Sequence, residues 1–310
     1  MRAPPVRAYH SAVEVLEPEV WRARAEEHRR RVEEWTAPYL ARKARRESHP
    51  VEDFLFVYYD HRPAWLRRWH PGAGVVLKGA SGFGRFYLDT PEGAVLDTAA
   101  LMDRRGSSVE WIARLLAATA SRPAYLGCFG LHEWAMVYRA AEVRHGAWPL
   151  RLGDEEIAEV VEQRGVRCGH FDAFRFFTPE ARPLNVLQPT RERQRELEQP
   201  GCLHANMDLY KWAYKLSPLV GSELVADCFA LARDIREVDM RASPYDLSAL
   251  GHRPIRIETP EGRAEYAAEQ RGFAERARPY RQLLLDACER LLAAAAPENP
   301  RSEVRPVGTG

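Results

Sequence analysis

Apolar positions recur every three or four residues along most of the chain, which is the spacing of one buried face of an α-helix. Pro38 is predicted to break the first helix, and Pro63 to interrupt a short helix that begins near Ser48. The predicted helices cover residues 18–47, 48–62, 107–120, 131–143, 154–163, 204–216, 222–240 and 260–296. The pattern therefore predicts a mainly α fold.

Short runs rich in β-branched and aromatic residues indicate a small β part. The segments VVLKG, GRFYLDT and GAVLD are separated by turn residues and predict a β-hairpin or small meander over residues 75–97. The alternating aromatic segment at 166–177 predicts a further strand that ends before Pro179. We expect a single compact α+β domain over residues 18–296, preceded by an extended or disordered segment (1–17) and followed by a disordered tail (297–310).

Composition and charge limit the cellular compartment and the kinds of partner that the sequence predicts. The chain has 45 basic and 44 acidic residues, a formal charge of +1 and 45% hydrophobic residues, with no run long enough to span a membrane. No global basic field would draw it to nucleic acid or to an anionic membrane. Its N-terminus lacks the apolar core of a secretory signal, and its five cysteines do not form the spacing of a disulfide framework. A cytoplasmic protein with reduced thiols is the expectation.

Three separated segments each combine a cysteine, a histidine and a carboxylate. They begin at Cys128, Cys168 and Cys202 and read CFGLHE, CGHFD and CLHANMD. These side chains are ligands for zinc or iron, although no dedicated metal motif is present. The predicted metal ligands are His132, Glu133, His170 and His204. We expect His204 and Asp208 to share a helix face, and His170 and Asp172 to share a strand face.

A histidine beside a carboxylate also suits general acid–base chemistry near neutral pH. The predicted catalytic residues are Asp172, Asp208, His170 and His204, and the predicted substrate-binding residues are Trp134, Phe174, Asn206, Tyr210 and Lys211. The aromatic members of this set suit a flat ligand. Buried hydrogen-bonded pairs and a packed aromatic core explain the same residue types. Both interpretations depend on whether the three segments meet in space.

Longer stretches of the chain resemble a known family. The segments HPVEDFLFVYYDHRP, RRWHPGAGV, GCFGLHEWAMVYR, HFDAFRFFTPEARPLN, QPGCLHANMDLYKWAYKLSPLV and DMRASPYDL are similar to an actinobacterial family of 3-methyladenine DNA glycosylases, over residues 18–290. The resemblance implies hydrolysis of the N-glycosidic bond of an alkylated adenine in damaged DNA, with the base flipped into an aromatic pocket. Asp172 or Asp208 would then activate water or stabilise the sugar cation. The chain lacks the Leu-Pro-Gly-Val-Gly type of hairpin that precedes the catalytic helix in helix-hairpin-helix glycosylases.

Three hypotheses remain open at this stage. The first is a DNA-repair glycosylase, as the resemblance implies. The second is a metal-dependent hydrolase or oxidase, with zinc or iron, acting on a small aromatic or nucleoside-like molecule. The third is a binding protein whose histidines are only packed. No membrane and no obligate protein partner is expected in any of them.

Overall fold

A computed structural model describes residues 14–143 and 146–295 of the chain. Residues 1–13 of the predicted N-terminal segment and the predicted tail at 297–310 lie outside the described residues. The strands are β1 (Glu14–Leu16), β2 (Val75–Lys78), β3 (Tyr87–Thr90) and β4 (Gly93–Leu96). The helices are α1 (Pro18–Ala44), α2 (Phe54–Tyr58), α3 (Pro63–Leu66), α4 (Thr98–Ala120), α5 (Leu131–Ala135), α6 (Asp154–Arg164), α7 (Phe171–Phe174), α8 (Gln194–Leu197), α9 (Leu203–Leu216), α10 (Ser222–Arg241) and α11 (Pro260–Ala295).

The four strands form one mixed sheet in the order β1-β2-β4-β3. Strand β1 pairs in parallel with β2, while β4 is antiparallel to both β2 and β3. The buried side chains Leu16, Leu77 and Ala94 pack with Trp69 in a small cluster of their own. The predicted fold class, mainly α with a small β meander, is confirmed.

The main core is helical and centres on α9. Helix α9 packs against α10 and α11, and α11 packs in turn against α4. Eleven of the fourteen residues of α9 are buried, including its polar residues His204, Asn206 and Asp208. A helix that is buried on nearly all sides is central to a fold, and its polar residues need partners inside the protein.

Four predicted helix limits are wrong. The helix predicted at 107–120 begins nine residues earlier, as α4 at Thr98. Helix α1 continues through Pro38 to Ala44, with the buried residues Thr36 and Tyr39 packed on either side of the proline. The burial of these neighbours stabilises the helix and offsets the loss of the backbone hydrogen bond that Pro38 cannot donate. The predicted helix at 131–143 is only α5, which ends at Ala135. The helix predicted over 48–62 is only α2 (Phe54–Tyr58), and Pro63 begins helix α3 instead of interrupting a helix, because proline suits a first helical turn.

The predicted strand at 166–177 is also wrong. Val166 forms an isolated bridge with Asn185, and residues 171–174 form helix α7. His170 caps this helix, because its Nδ1 accepts a hydrogen bond from the amide of Ala173 at 3.2 Å. The cap favours a helix at this point, and two of the aromatic residues that suggested a strand, Phe171 and Phe174, lie at the i, i+3 spacing of α7. His170 and Asp172 therefore do not share a strand face.

No helix in the described ranges has the length and apolarity that crossing a membrane requires.

Candidate functional site

The three histidines of the cysteine-containing segments meet in the protein interior. His132 lies in α5, His170 caps α7 and His204 lies in the first turn of α9. The ring centroid of His204 is 4.3 Å from that of His132 and 5.2 Å from that of His170. All three side chains are buried. The geometric condition on which the functional hypotheses depend is thus met in the described fold.

His132 belongs to a buried group of charges on α5 and α10. Its Nε2 donates to Oδ1 of Asp239 at 2.8 Å. Arg236 donates from Nη1 to Oδ2 of Asp239 at 3.0 Å and to Oε1 of Glu133 at 2.9 Å. Burial disfavours a charged imidazole, but Asp239 more than offsets this and raises the pKa of His132 above its ordinary value.

His170 belongs to a second buried group. Its Nε2 lies 3.4 Å from Oδ2 of Asp208 and 3.6 Å from Oε1 of Glu198. Because Nδ1 accepts the amide hydrogen of Ala173, the ring proton lies on Nε2, which donates to the carboxylates. The amide of Gln194 also donates to Glu198 at 2.6 Å. Burial raises the pKa of Glu198 above its ordinary value.

Lys211 connects Asp208 to Asp172. Its Nζ donates to Oδ2 of Asp172 at 2.6 Å and to Oδ2 of Asp208 at 3.2 Å. Tyr59 donates its hydroxyl to the other oxygen of Asp208 at 2.7 Å. Burial opposes ionisation of both aspartates, but the Lys211 ammonium outweighs it and lowers the pKa of each below its ordinary value. Both carboxylates are therefore ionised at neutral pH.

His204 differs from the other two imidazoles. Within the described residues, neither of its ring nitrogens makes a hydrogen bond, although the ring is buried. Burial, reinforced by the neighbouring His132, lowers the pKa of His204 well below its ordinary value. The ring is thus neutral and has a nitrogen lone pair free for a ligand.

Two sets of side chains have the composition of a metal site. His132, His204 and Asp239 each offer one atom, and these atoms lie within 4.8 Å of one another; His170, Glu198 and Asp208 meet the same condition. In both sets one histidine has its ring proton on Nε2 and the carboxylates accept hydrogen bonds, so a metal ion would have to displace that proton from His132 or from His170. The first set is the better candidate, because it also contains His204, which has no competing partner among the described residues.

Two hollows meet at His204, which lines both. The cysteine hollow, defined by Cys128, Cys168 and Cys202, has a volume of about 400 Å³. Its wall also includes His132, His170, Glu198, Tyr125 and Tyr266. The arginine hollow, defined by Arg175 and Arg236, has a volume of about 590 Å³. Its wall also includes His49, Phe54, Tyr58, Glu133, Trp148, Asp172 and Phe176. Both volumes are in the range of small-molecule sites.

The cysteines of the first hollow are neutral thiols. Burial raises the pKa of Cys168 to about 12, and it raises the pKa of Cys128 and Cys202 as well. A thiolate is the nucleophilic form, so these residues are poor nucleophiles in this conformation. All five cysteines are free.

The predicted substrate-binding residues lie near the site but line neither hollow. Trp134 is buried and donates its indole N–H to the carbonyl of Ala242 at 2.9 Å. The hydroxyl of Tyr210 lies 2.9 Å from Nδ1 of His61, and Asn206 donates to the carbonyl of Pro200 at 3.0 Å. Phe174 packs edge-to-face on Phe177. Together with Lys211, which holds the two aspartates, these side chains support the site from within the core.

Sequence reasoning missed Glu198, Arg236 and Asp239, which complete the two buried groups. Arg236 and Asp239 lie on a face of α10 that is otherwise apolar, beside Ile235 and Val238. Charged residues on an apolar helix face need buried partners, and this signal was present in the sequence. Glu198 follows the four-residue helix α8, and no sequence pattern marks it.

Comparison with family models, with curated proteins and with solved structures found no match for this chain.

Proposed function

We propose that this chain is a cytoplasmic metal-dependent enzyme, using zinc or iron, that acts on a small aromatic or nucleoside-like molecule. The observation that carries the proposal is the state of His204. Its imidazole is buried, neutral and without a hydrogen bond among the described residues, and it lies within reach of His132 and Asp239. A neutral imidazole with a free lone pair is the form that binds a metal ion.

The ligand set of His132, His204 and Asp239 has the chemistry of a two-histidine, one-carboxylate site. Adjacent ligands of one ion, with bonds of about 2.0–2.2 Å, are about 3 Å apart. Nε2 of His132 and Oδ1 of Asp239 lie 2.8 Å apart, which is close to this value, and a bound ion would replace the proton that His132 now donates. Asp239 keeps its second oxygen on Arg236, which orients the carboxylate in the way that outer partners of metal ligands do.

Three protein ligands leave coordination positions open for water or substrate. His132 and His204 both line the cysteine hollow, so a small molecule bound there would lie next to these positions. The wall of the hollow also carries Tyr266, whose buried hydroxyl lies beside the thiol of Cys128. These two polar groups would orient a polar group on the substrate.

Metal content tests this proposal. Protein that has never been exposed to a chelator is analysed for zinc and iron, as the wild type and as the His204→Gln and His252→Gln variants. His252 is the matched control, because its side chain is partly exposed, pairs with Glu237 and lines neither hollow. We expect about one equivalent of metal in the wild type and in the control, and a loss of at least tenfold in His204→Gln. A wild type that holds no metal and takes up none from added zinc or iron would end the proposal.

A second candidate function is DNA-base hydrolysis, which the family resemblance implies. Asp172 favours it, because this ionised carboxylate lies on the wall of the arginine hollow beside the aromatic side chains of Tyr58, Trp148 and Phe176. A carboxylate of this kind stabilises a sugar cation or orients water, and the aromatic wall suits a flipped base. Asp208 lines neither hollow, so Asp172 is the more accessible of the two predicted carboxylates.

Release of free base from methylated DNA tests this second candidate. Single-stranded and duplex DNA are incubated with the wild type, with Asp172→Asn and with the surface control Asp234→Asn, whose side chain pairs with Arg276. Release that is lost only in Asp172→Asn supports the glycosylase. If the DNA stays intact after incubation with folded wild-type protein, the glycosylase hypothesis is wrong.

A further inference from the structure

Arg236 is a buried cation whose hydrogen-bonding capacity is only partly used. It is 1% exposed, and Nη1 donates to both Glu133 and Asp239. Its Nε is buried and has no acceptor among the described residues. Buried donors normally have partners, since an unpaired one costs stability. The side chain lines the arginine hollow, where a bound molecule would supply an acceptor.

The surroundings of Arg236 hold its guanidinium in a fixed place. Phe54 lies against the guanidinium, with Cζ 3.9 Å from the ring centroid. Among the described residues, three carboxylates line the hollow, and each is paired with a cation. The pairs are Asp53 with Arg42, Asp172 with Lys211 and Glu133 with Arg236. A planar guanidinium that is fixed by stacking and by ion pairs is prearranged for a planar anionic group.

Arg175 brings a second cation to the same hollow. Its side chain is 48% exposed, and its contact with Asp172 is long, at 3.4 Å. Asp172 is already bonded to Lys211 at 2.6 Å, so Arg175 is not needed to compensate that carboxylate. Arg175 therefore remains able to turn towards a negative group that enters the hollow.

The rest of the wall favours a flat molecule. Tyr58, Trp148 and Phe176 line the hollow together with Phe54. Aromatic walls bind flat rings by stacking and edge contacts, and the volume of about 590 Å³ holds a one- or two-ring molecule. From these observations we infer that the arginine hollow binds a small planar organic anion, an aromatic carboxylate, through Arg236 and Arg175. This site goes beyond the proposed metal enzyme, because none of the proposed metal ligands except His204 lines it.

Calorimetric titration with benzoate and with its uncharged analogue benzamide tests the inference. The titrations use the full chain, once as purified and once after treatment with a chelator. The variants are Arg236→Lys, which keeps the positive charge beside Glu133 and Asp239, and Arg175→Gln. The control is Arg193→Gln, which changes a half-exposed arginine that pairs with Glu196 and lines neither hollow.

We expect benzoate to bind at least tenfold more tightly than benzamide, because its carboxylate is bonded by the buried Arg236 and the half-exposed Arg175. Arg175→Gln weakens benzoate binding by about fivefold, and Arg236→Lys by tenfold or more, while Arg193→Gln leaves it unchanged. If Arg236→Lys does not fold, the partly exposed Arg175 decides the question alone. Equal binding of benzoate and benzamide, no binding of either at millimolar concentration, or benzoate binding that Arg175→Gln leaves unchanged would overturn the inference. Benzoate binding that persists after chelator treatment would show that the anion site does not depend on a metal, so the anion inference can hold even if the metal proposal fails.

Discussion

Several hydrogen-bond donors and charged groups of the site surround Asp208. It accepts hydrogen bonds from Tyr59 and Lys211, and His170 lies 3.4 Å away. Although burial opposes its ionisation, these cations and donors lower the pKa of Asp208 in the folded state. A carboxylate whose pKa is lowered on folding contributes stability above its unfolded value of 3.8, and this contribution is lost as the pH falls through the lowered value.

The acid sensitivity of the fold should therefore depend on Asp208. We expect Asp208→Asn to cost about 3 kcal/mol of unfolding free energy at neutral pH, because Lys211 loses a buried partner. Below about pH 5 the wild type should lose stability more steeply than the variant. Urea unfolding at a series of pH values measures both effects, with Asp234→Asn as an exposed control. Parallel pH profiles for wild type and Asp208→Asn would contradict the assignment.

Glu198 should behave in the opposite way. Burial raises the pKa of Glu198 in the folded state above the unfolded value of 4.5, so ionisation costs stability as the pH rises through that range. Glu198→Gln removes the charge and can keep the contact with Gln194. We expect the variant to melt a few degrees higher at pH 8 and at the same temperature as the wild type near pH 4. Thermal melts at both pH values test this, with exposed Glu196→Gln as the control; a lower melting temperature at pH 8 would refute it.

At the scale of elements, sequence periodicity predicted the long helices and the meander well. Helices α9, α10 and α11 carry apolar stripes or continuous burial, and the runs in β2, β3 and β4 are separated by turn residues. The 166–177 segment was mispredicted because a single side-chain cap, from His170 to Ala173, decides its conformation. Such a cap depends on the orientation of one side chain, which hydrophobic periodicity does not encode.

The meander also contains a glycine whose role can be measured. Gly93 has φ of +146°, and a Cβ there would lie 2.0 Å from the carbonyl oxygen of Leu77 on the paired strand. We expect Gly93→Ala to cost about 2–3 kcal/mol of unfolding free energy. The matched control is Gly272→Ala in α11, where a Cβ meets no atom within 4 Å. This control should raise the unfolding free energy by about 0.5–1 kcal/mol, because alanine has the higher helix propensity. Denaturant titration compares the two, and equal effects would show that backbone conformation at Gly93 is not limiting.

At the scale of the whole molecule, the candidate site depends on contacts that no local pattern reports. The three histidines were recognisable from their Cys-His-acid segments, and the fold brings their rings together. Their most important partners were not recognisable, because Asp239 meets His132 across 107 residues of sequence and Glu198 meets His170 only through the packing of short elements. The sequence predicted which histidine segments to consider, whereas the grouping of His132 and His204 with Asp239 and the two hollows required the tertiary structure.

The distribution of the proposed metal ligands leads to a prediction about global stability. His132 lies in α5, His204 in α9 and Asp239 in α10, so an ion bound to all three would connect three elements of the core. A ligand that binds only the folded state stabilises it by about 2.7 kcal/mol at a concentration one hundred times its Kd. For a chain of 310 residues we expect zinc or ferrous iron to raise the melting temperature of chelator-treated protein by about 4 °C. Differential scanning calorimetry should show the same rise for His252→Gln and none for His204→Gln. An equal rise in His204→Gln would mean that the metal binds elsewhere, and the proposed ligand set would then be wrong even if the protein contains metal.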